Sequence, residues 1–408
     1  MSVSTVGNGE LHVPGGFRFA SAKAGLKASR NPDLALAIAA DGATAAAIFT
    51  RNHVVAAPLI VGRKHLAKSR GRVRAVLVNS GNANCATGPA GIRTCNETCR
   101  ALAKALRVAP HEVFPSSTGI IGVPLPGEKI IATIPEVVAG AAAGVAALCA
   151  FAHAIMTTDT RPKIASAQFR IEGKTGKTVT IAGVAKGAGM IHPNMATMLA
   201  YIFTDAVAPA ASLRRELRTA ADISFNCISV DGDTSTNDTV LLLASGASGV
   251  RLATAATRRA FAQALLQVCQ SLAEQIIADG EGVQHVVRLH IEQARSKTEA
   301  LQVAQTIATS SLVKTAWAGA DPNWGRILAA AGRSGVALDP ARIEIRFGTI
   351  RVCEEGRAAR FDAQAAHQYL SQPSYDVTVR LGRGKASALF LTCDLTSAYV
   401  HINADYST

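Results

Sequence analysis

Aromatic and charged residues are both scarce in this chain of 408 residues. Aromatic residues make up 5% and charged residues 17%, whereas hydrophobic residues make up 49%. Disordered chains combine low hydrophobicity with high net charge, so this composition predicts a globular protein. The length suggests about two or three domains. Because large rings are few, we expect the core to depend on close packing of small residues.

The cysteines lack the C-x-x-C spacing of zinc sites. Eight are spread along the chain: Cys85, Cys95, Cys99, Cys149, Cys227, Cys269, Cys353 and Cys393. Cys95 and Cys99 fit one face of a helix, but no second Cys/His pair follows at zinc-finger spacing. We therefore predict reduced cysteines in the core, a cytoplasmic location and no metal site.

A basic tail, a signal peptide and an aromatic membrane belt are also missing. The net charge is +13, but Lys and Arg are scattered and not interleaved with aromatics, so we predict no nucleic-acid partner. The N-terminus has no apolar stretch typical of a secretory leader. Residues 137–158 contain no Asp, Glu, Lys or Arg, yet their Ala- and Gly-rich composition predicts a buried helix and no membrane partner.

Apolar runs and helical periodicity alternate along the chain, which predicts an α/β or α+β fold without a linker. Residues 33–50 carry two apolar runs around an Asp-Gly and predict a hairpin. A buried strand is expected from Val73, and helices over 91–108 and from Ala256 to an Asp-Gly. The alternating tail predicts strands to within a few residues of the end.

The segment VDGDTSTND, residues 230–238, follows an apolar strand and carries Asp231 and Asp233. These two carboxylates could support an Mg²⁺-dependent phosphotransferase with Asp231 as the nucleophile. A calcium loop is excluded because Thr236 and Leu242 replace the required Gly and Glu. A turn with polar side chains that satisfy backbone groups is the favoured interpretation, and the phosphotransferase stays the alternative.

The segment KGAGMIHPNMATML, residues 186–199, places Thr197 after the small residue Ala196. A threonine hydroxyl is a poor nucleophile and needs a base. A chain break before Thr197 would create an α-amine with a reference pKa of about 7.7–8, which suits a general base. On these residues alone, an ordinary threonine at the start of a strand is the stronger interpretation.

Nine motifs together change that balance. In chain order they are VNSGNANCATG, SSTGIIG, MTTDT, KGAGMIHPNMATML, SVDGDTSTND, DGEG, SSLVKTA, GADPNWGRI and INADY. Their set and order resemble the ornithine acetyltransferases (glutamate N-acetyltransferases) of arginine biosynthesis over essentially the whole chain. The resemblance implies an αββα-type sandwich of the N-terminal-nucleophile kind, with no metal and no tightly bound cofactor.

The resemblance also implies self-cleavage between Ala196 and Thr197. The products would be an α chain (1–196) and a β chain (197–408), assembled as a heterotetramer of two of each. Thr197 would then carry an acetyl group from N2-acetylornithine to glutamate in a ping-pong reaction. Some members of the family also use acetyl-CoA as the donor.

By the same resemblance, the Thr118 hydroxyl and the Gly119 N–H form the oxyanion hole. Lys186 would face a substrate carboxylate and Glu281 an ammonium group. The implied substrate contacts are Thr158 (or its neighbour Thr157), Lys186, Thr197, Glu281, Asn403 and Thr408. The chain departs from the family pattern at Val283-Gln284-His285 and at Trp317, where we expect an effect on pocket shape.

Overall fold

The computed structural model describes residues 3–6, 10–171, 176–192 and 198–405. Three residues that the sequence assigns to the site, Ala196, Thr197 and Thr408, lie outside these ranges.

The described residues form sixteen strands and eleven α-helices. The strands are β1 Val3–Val6, β2 Phe17–Ala22, β3 Leu34–Phe49, β4 Arg72–Asn82, β5 Val113–Ile120, β6 Lys163–Ile171, β7 Thr178–Lys186, β8 Leu199–Thr204, β9 Ile228–Ser229, β10 Thr239–Ala244, β11 Val286–Ala294, β12 Glu344–Phe347, β13 Ile350–Glu354, β14 Arg357–Ala358, β15 Ser374–Arg380 and β16 Ala386–Cys393. The helices are α1 Ala57–Lys68, α2 Gly88–Leu106, α3 Gly127–Ala139, α4 Val145–Ala154, α5 Ala210–Ala221, α6 Ala255–Ala278, α7 Lys297–Ala308, α8 Ser311–Ala318, α9 Trp324–Gly332, α10 Ala363–Leu370 and α11 Ser397–Asp405.

Strand β3 organises the first sheet, whose nine described strands run β1-β6-β7-β8-β10-β3-β4-β5, with β2 beside β3. The first half of β3 pairs with β2 and its second half with β10, while β4 pairs along the other edge. The predicted hairpin at 33–50 is therefore wrong. Each half of β3 finds its partner elsewhere in the chain, and the Asp-Gly falls in a bulge between Ile38 and Ala43 instead of a reversal.

The first sheet folds over at β3 so that its two halves face each other. Phe19 on β2 meets Phe203 on β8 with ring centroids 4.9 Å apart, although two strands separate β2 and β8 in the sheet. Helices α1, α2 and α3 cover the outer face of one half, and α5 and α6 cover the other. These layers confirm the predicted α/β class and αββα sandwich.

A second described sheet, β14-β13-β12-β15-β11-β16-β9, has its own core. Helices α7, α8 and α9 pack on one of its faces around the buried ring of Trp317. Leu391 and Cys393 of β16 point to the other side and join the core beneath α6. The two sheets are thus connected through continuous apolar packing.

Two predicted elements differ from the structure. Residues 137–158 do not form one helix: α3 ends at Ala139, α4 begins at Val145, and Gly144 between them has φ +98°. The tail after β16 is helix α11 instead of a strand. The strand from Val73, the helix over 91–108 and the long helix from Ala256 are confirmed as β4, α2 and α6.

All eight cysteines lie within the described ranges and are free thiols, seven of them buried, as predicted. Across the described ranges, no helix has both the length and the apolar character that a membrane crossing requires.

Candidate functional site

A pocket opens where β5 and β7 end, next to α11. Thr118 and Gly119 come from the end of β5, and Lys186 is the last residue of β7. The predicted site residues that line it are Thr118, Gly119, Thr157, Thr158, Lys186, Glu281 and Asn403. The structure thus brings together every predicted site residue that lies in the described ranges.

Gly119 sits where no side chain fits. Its φ is +130°, and a Cβ there would lie 2.5 Å from the backbone nitrogen of Asn82. This close approach follows from the parallel pairing of β4 with β5, which sets Gly81 opposite Gly119. The sequence Ser-Thr-Gly therefore places Thr118 and Gly119 at the pocket wall near the end of β5.

Polar side chains from three segments hold this wall in place. Asn237 donates from Nδ2 to the carbonyl oxygens of Ala83 and Ser117, at 2.7 and 2.8 Å. Ser117 in turn donates to Asn79 Oδ1 at 2.6 Å. Because these amides are buried and satisfied, the ends of β4 and β5 are fixed relative to the loop before β10.

Lys186 brings a positive charge to the pocket beside the hydroxyl wall. Its Nζ lies 3.3 Å from Thr118 Oγ1. Burial lowers the pKa of Lys186, and the carboxylates of Asp159 and Glu281 act in the opposite direction. An ammonium group held in this setting suits a substrate carboxylate.

Glu281 and Asn403 form the opposite side of the pocket. Asn403 Nδ2 donates to Glu281 Oε2 at 2.8 Å, which attaches α11 to the pocket. The Glu281 carboxylate lies so close to Gly189 that a Cβ there would be 2.6 Å from the carboxyl carbon. A carboxylate in this position can pair with an ammonium group.

The chain on both sides of residues 193–197 is fixed next to this pocket. On one side, Val230 donates its N–H to the carbonyl of Ile191 at 2.8 Å. On the other, Thr239 donates to the carbonyl of Met198 at 3.1 Å, and Leu199 pairs with Lys186 across β7 and β8. The two ends that flank the predicted cleavage site are therefore anchored to the walls of the site.

Asp231 holds one of these ends. Its carboxylate accepts from the N–H groups of Met190, Ile191 and Asp233, at 2.6, 3.0 and 3.1 Å. Burial raises its pKa to about 6. With its oxygens engaged by backbone donors, Asp231 is suited to fixing a loop, and this geometry does not favour the phosphotransferase alternative. Within the described ranges, His, Cys, Asp and Glu form no cluster of three or more that could hold a metal ion.

The structure also adds four ionisable residues that the sequence did not assign to the site: Lys27, Asp159, Lys163 and Asp279. Lys163 is fully buried and paired with both aspartates. Burial lowers the pKa of Lys27 to about 8, and Asp33, Asp159 and Lys186 all act on it. The available signal is the aspartates within MTTDT and DGEG and a lysine three residues after MTTDT, but nothing in the sequence shows that they meet.

The departures from the family pattern lie away from the pocket lining. Trp317 is buried in the core of the second sheet. The N–H groups of Gln284 and His285 donate to Asp394 Oδ1, and Val283 packs against the core of the first sheet. The expected effect of these residues on the pocket is therefore at most indirect.

The chain is similar over almost its whole length to known proteins of one family. Residues 18–408 match the ArgJ family model. The chain is 46% identical over 396 residues to the arginine biosynthesis bifunctional protein ArgJ of Geobacter sulfurreducens, covering 96% of this chain and 99% of that protein. It is 46% identical over 397 residues to the protein of the same name from Methylococcus capsulatus, covering 96% and 95%.

Two solved structures are also similar in sequence. The Bacillus halodurans ArgJ is 38% identical, covers 52% of this chain and all of its own, and has a TM-score of 0.49. The Mycobacterium tuberculosis ornithine acetyltransferase solved with ornithine is 40% identical, covers 47% and 99%, and has a TM-score of 0.41. The family resemblance predicted from the motifs is confirmed by the full-length matches: this chain belongs to the ArgJ family of arginine biosynthesis.

Proposed function

We propose that the chain cleaves itself between Ala196 and Thr197, and that Thr197 then transfers acetyl from N2-acetylornithine to glutamate. The observation that carries the proposal is one pocket that joins Thr118, Gly119, Lys186, Glu281 and Asn403. Met198, the residue covalently next to Thr197, is hydrogen-bonded to Thr239 beside this pocket. Two relatives that match 96% of this chain are named arginine biosynthesis bifunctional proteins.

In the cleavage step, the Thr197 Oγ attacks the carbonyl carbon of Ala196. The C–N bond breaks, the hydroxyl proton passes to the departing amine, and an ester joins Ala196 to Oγ. Water then hydrolyses the ester, which leaves a carboxylate on Ala196 and a free hydroxyl and α-amine on Thr197. The new amine has a reference pKa of about 7.7–8, so it can act as the base for its own hydroxyl.

In acetyl transfer, the same hydroxyl attacks the acetyl carbonyl of N2-acetylornithine. The Thr118 hydroxyl and the Gly119 N–H donate hydrogen bonds to the carbonyl oxygen and stabilise the negative charge that develops on it. The amide bond breaks, the amine takes the proton and ornithine leaves. The α-amine of glutamate then attacks the acetyl-threonine ester, forms N-acetylglutamate and restores the hydroxyl.

Both substrates carry the charges that the pocket complements. Lys186 binds a substrate carboxylate and Glu281 binds an ammonium group, with Asn403 orienting Glu281. Thr158 is the remaining proposed substrate contact within the described ranges. Thr197 and Thr408, which lie outside those ranges, complete the proposed set. A second donor, acetyl-CoA, would enter the same acetyl-threonine intermediate, and release of free thiol from acetyl-CoA in the presence of glutamate tests it.

Intact-mass analysis of the denatured protein tests the cleavage. We expect two species, 1–196 and 197–408, in active wild-type protein, and one full-length species in Thr197→Ala with no acetyl transfer. Thr197→Ser keeps a hydroxyl and should retain part of both reactions. Thr219→Ala, an exposed position on α5, is the matched control and should behave as wild type. Full acetyl transfer by an uncleaved chain would refute the proposal.

The proposed assembly is a heterotetramer of two α and two β chains. Light scattering under native conditions should then give twice the 42.3 kDa of one chain. A mass of one chain would contradict it without affecting the proposed chemistry.

A further inference from the structure

We propose that Asp159, Lys163 and Asp279 form a buried charge cluster of positioning residues, which joins three segments of the pocket wall and in which Asp159 is the counter-charge of Lys186. The inference rests on the proposed function, in which Lys186 binds a substrate carboxylate as an ammonium ion.

The cluster is centred on one buried ammonium group. Lys163 has no exposed surface, and its Nζ lies 2.6 Å from Asp159 Oδ1 and 2.5 Å from Asp279 Oδ2. Both carboxylates accept hydrogen bonds from the Lys163 side chain, so each has a partner of opposite charge in the protein interior. Replacing such a cluster by apolar residues often leaves a fold intact, so a positioning role is a reason for its presence beyond stability.

Both carboxylates of the cluster accept hydrogen bonds from backbone groups of the pocket segments. Asp159 accepts from the N–H of Gly187 at 2.6 Å and from the N–H of Thr157 at 3.0 Å. Asp279 accepts from the N–H of Thr160 at 3.1 Å and lies two residues before Glu281. Lys163 therefore connects the Thr157 loop, the turn after Lys186 and the segment that carries Glu281.

The cluster also acts on the charge of Lys186. Burial disfavours the ammonium form, Asp159 opposes that effect, and Lys163 adds to it by repulsion. Glu281 and Asp238 also favour the charged form, and Lys27 is a further ammonium group close by. Removing Asp159 should therefore make Lys186 lose its proton at lower pH, and removing Lys163 should have the opposite effect.

The test compares the pH dependence of kcat/KM for glutamate in wild-type enzyme and in two variants, Asp159→Asn and Lys163→Met. Lys186→Met first identifies the alkaline limb that belongs to Lys186, because that limb disappears with the ammonium group. We expect Asp159→Asn to shift this limb to lower pH by about 1 unit and Lys163→Met to shift it to higher pH. Asparagine can still accept from Gly187, so the backbone contact is retained.

Asp279→Asn is the matched control. It removes the other carboxylate that Lys163 contacts, but Asp279, unlike Asp159, is not one of the groups with the main effects on the pKa of Lys186. We expect this variant to raise KM and lower the unfolding temperature while the alkaline limb stays within about 0.3 pH unit of wild type. A merely structural cluster would give three variants with lower stability and an unmoved limb.

The inference is overturned if Asp159→Asn leaves the limb in place, or if Asp159→Asn and Asp279→Asn shift it equally. Should Lys163→Met fail to fold, the Asp159→Asn and Asp279→Asn pair decides alone. Failure of the proposed function looks different: wild-type enzyme would then transfer no acetyl group, or Lys186→Met would leave the KM for glutamate unchanged.

Discussion

Single residues determine how closely neighbouring backbone segments pack at the pocket wall. The backbone of Gly119 lies against that of Gly81 and Asn82. The same contact that fixes the Gly119 backbone forbids a side chain. A substitution here therefore changes the wall of the pocket directly.

We expect Gly119→Ala to lower kcat about 100- to 1000-fold, the loss typical of removing one oxyanion donor. The added Cβ must displace the backbone of β4, which moves the N–H away from the substrate oxygen. Steady-state acetyl transfer measures the effect.

Gly122→Ala is the matched control: its φ is +84°, but a Cβ there meets nothing within 4 Å. We expect it to lose about 1 kcal/mol of stability and little activity. Equal activity losses in both variants would point to backbone strain alone.

The buried carboxyl of Asp231 predicts a pH-dependent contribution to stability. Its pKa of about 6 in the folded protein is above the reference of about 3.9. Proton binding to Asp231 therefore stabilises the folded state fully below pH of about 4, and this contribution is lost as the pH rises through about 6. Its size is about 2–3 kcal/mol.

Urea unfolding of wild type and Asp231→Asn at two pH values measures this contribution. The stability advantage of the wild type over Asp231→Asn should be larger at pH of about 4.5 than at about 7.5. Asp41→Asn, at an exposed position, is the control and should show the same difference from wild type at both pH values. An advantage that grows with pH would mean that Asp231 is ionised throughout.

Among the elements, helix α11 contacts the pocket but buries no residue in the hydrophobic core. None of its residues is buried. Its attachments are polar: Asn403 donates to Glu281 at 2.8 Å, and the Tyr399 hydroxyl donates to Asp231 at 3.3 Å. We therefore assign α11 to the pocket instead of to the stability of the fold.

Asn403→Ala should raise the KM for glutamate about tenfold or more, because a hydrogen bond to a charged group is worth about 1.5–3 kcal/mol. The unfolding temperature should change by less than about 2 °C, because Asn403 is exposed and lies on a helix that buries none of its residues. Steady-state kinetics and thermal unfolding separate these effects. His401→Ala, an exposed position on the same helix, is the matched control and should leave both quantities unchanged. A large fall in unfolding temperature would show that α11 stabilises the fold.

The elements also show which features sequence patterns can predict. Periodicity identifies α2 and α6 because each buries one face against a single neighbouring surface. It fails at β3, where the partners β2, β4 and β10 decide whether an Asp-Gly turns the chain. It fails again at residues 137–158, where composition is uniform and Gly140 and Gly144 end one helix and precede the next.

The candidate site also combines residues that sequence motifs predict with residues that only the structure brings together. The motifs identified Thr118, Lys186 and Glu281, and the structure brings these residues into one pocket. Asp159 and Asp279 are 120 positions apart in the chain, and the sequence does not show that Lys163 and the backbone of Thr160 connect them. Such a contact depends on how β6 and α6 pack, which no local pattern records.

At the scale of the whole molecule, the predicted α and β chains share one sheet. Strand β7 precedes residue 196 and pairs with β8, which follows it. Strand β10, also from the second part, pairs with both β8 and β3. The two parts therefore share ladders of hydrogen bonds and the core on both faces of these strands.

Cleavage after residue 196 should consequently leave the two chains bound to each other. They should elute together in size-exclusion chromatography without denaturant and separate only in several molar urea. Each chain expressed alone should be insoluble or unfolded, because it exposes the unpaired edge of β7 or β8 and half of the apolar surface between them. Co-expression of 1–196 with 197–408 should restore soluble protein. Independent folding of either chain would mean that the shared sheet is not what stabilises it, and would place the stability of that chain in a separate core.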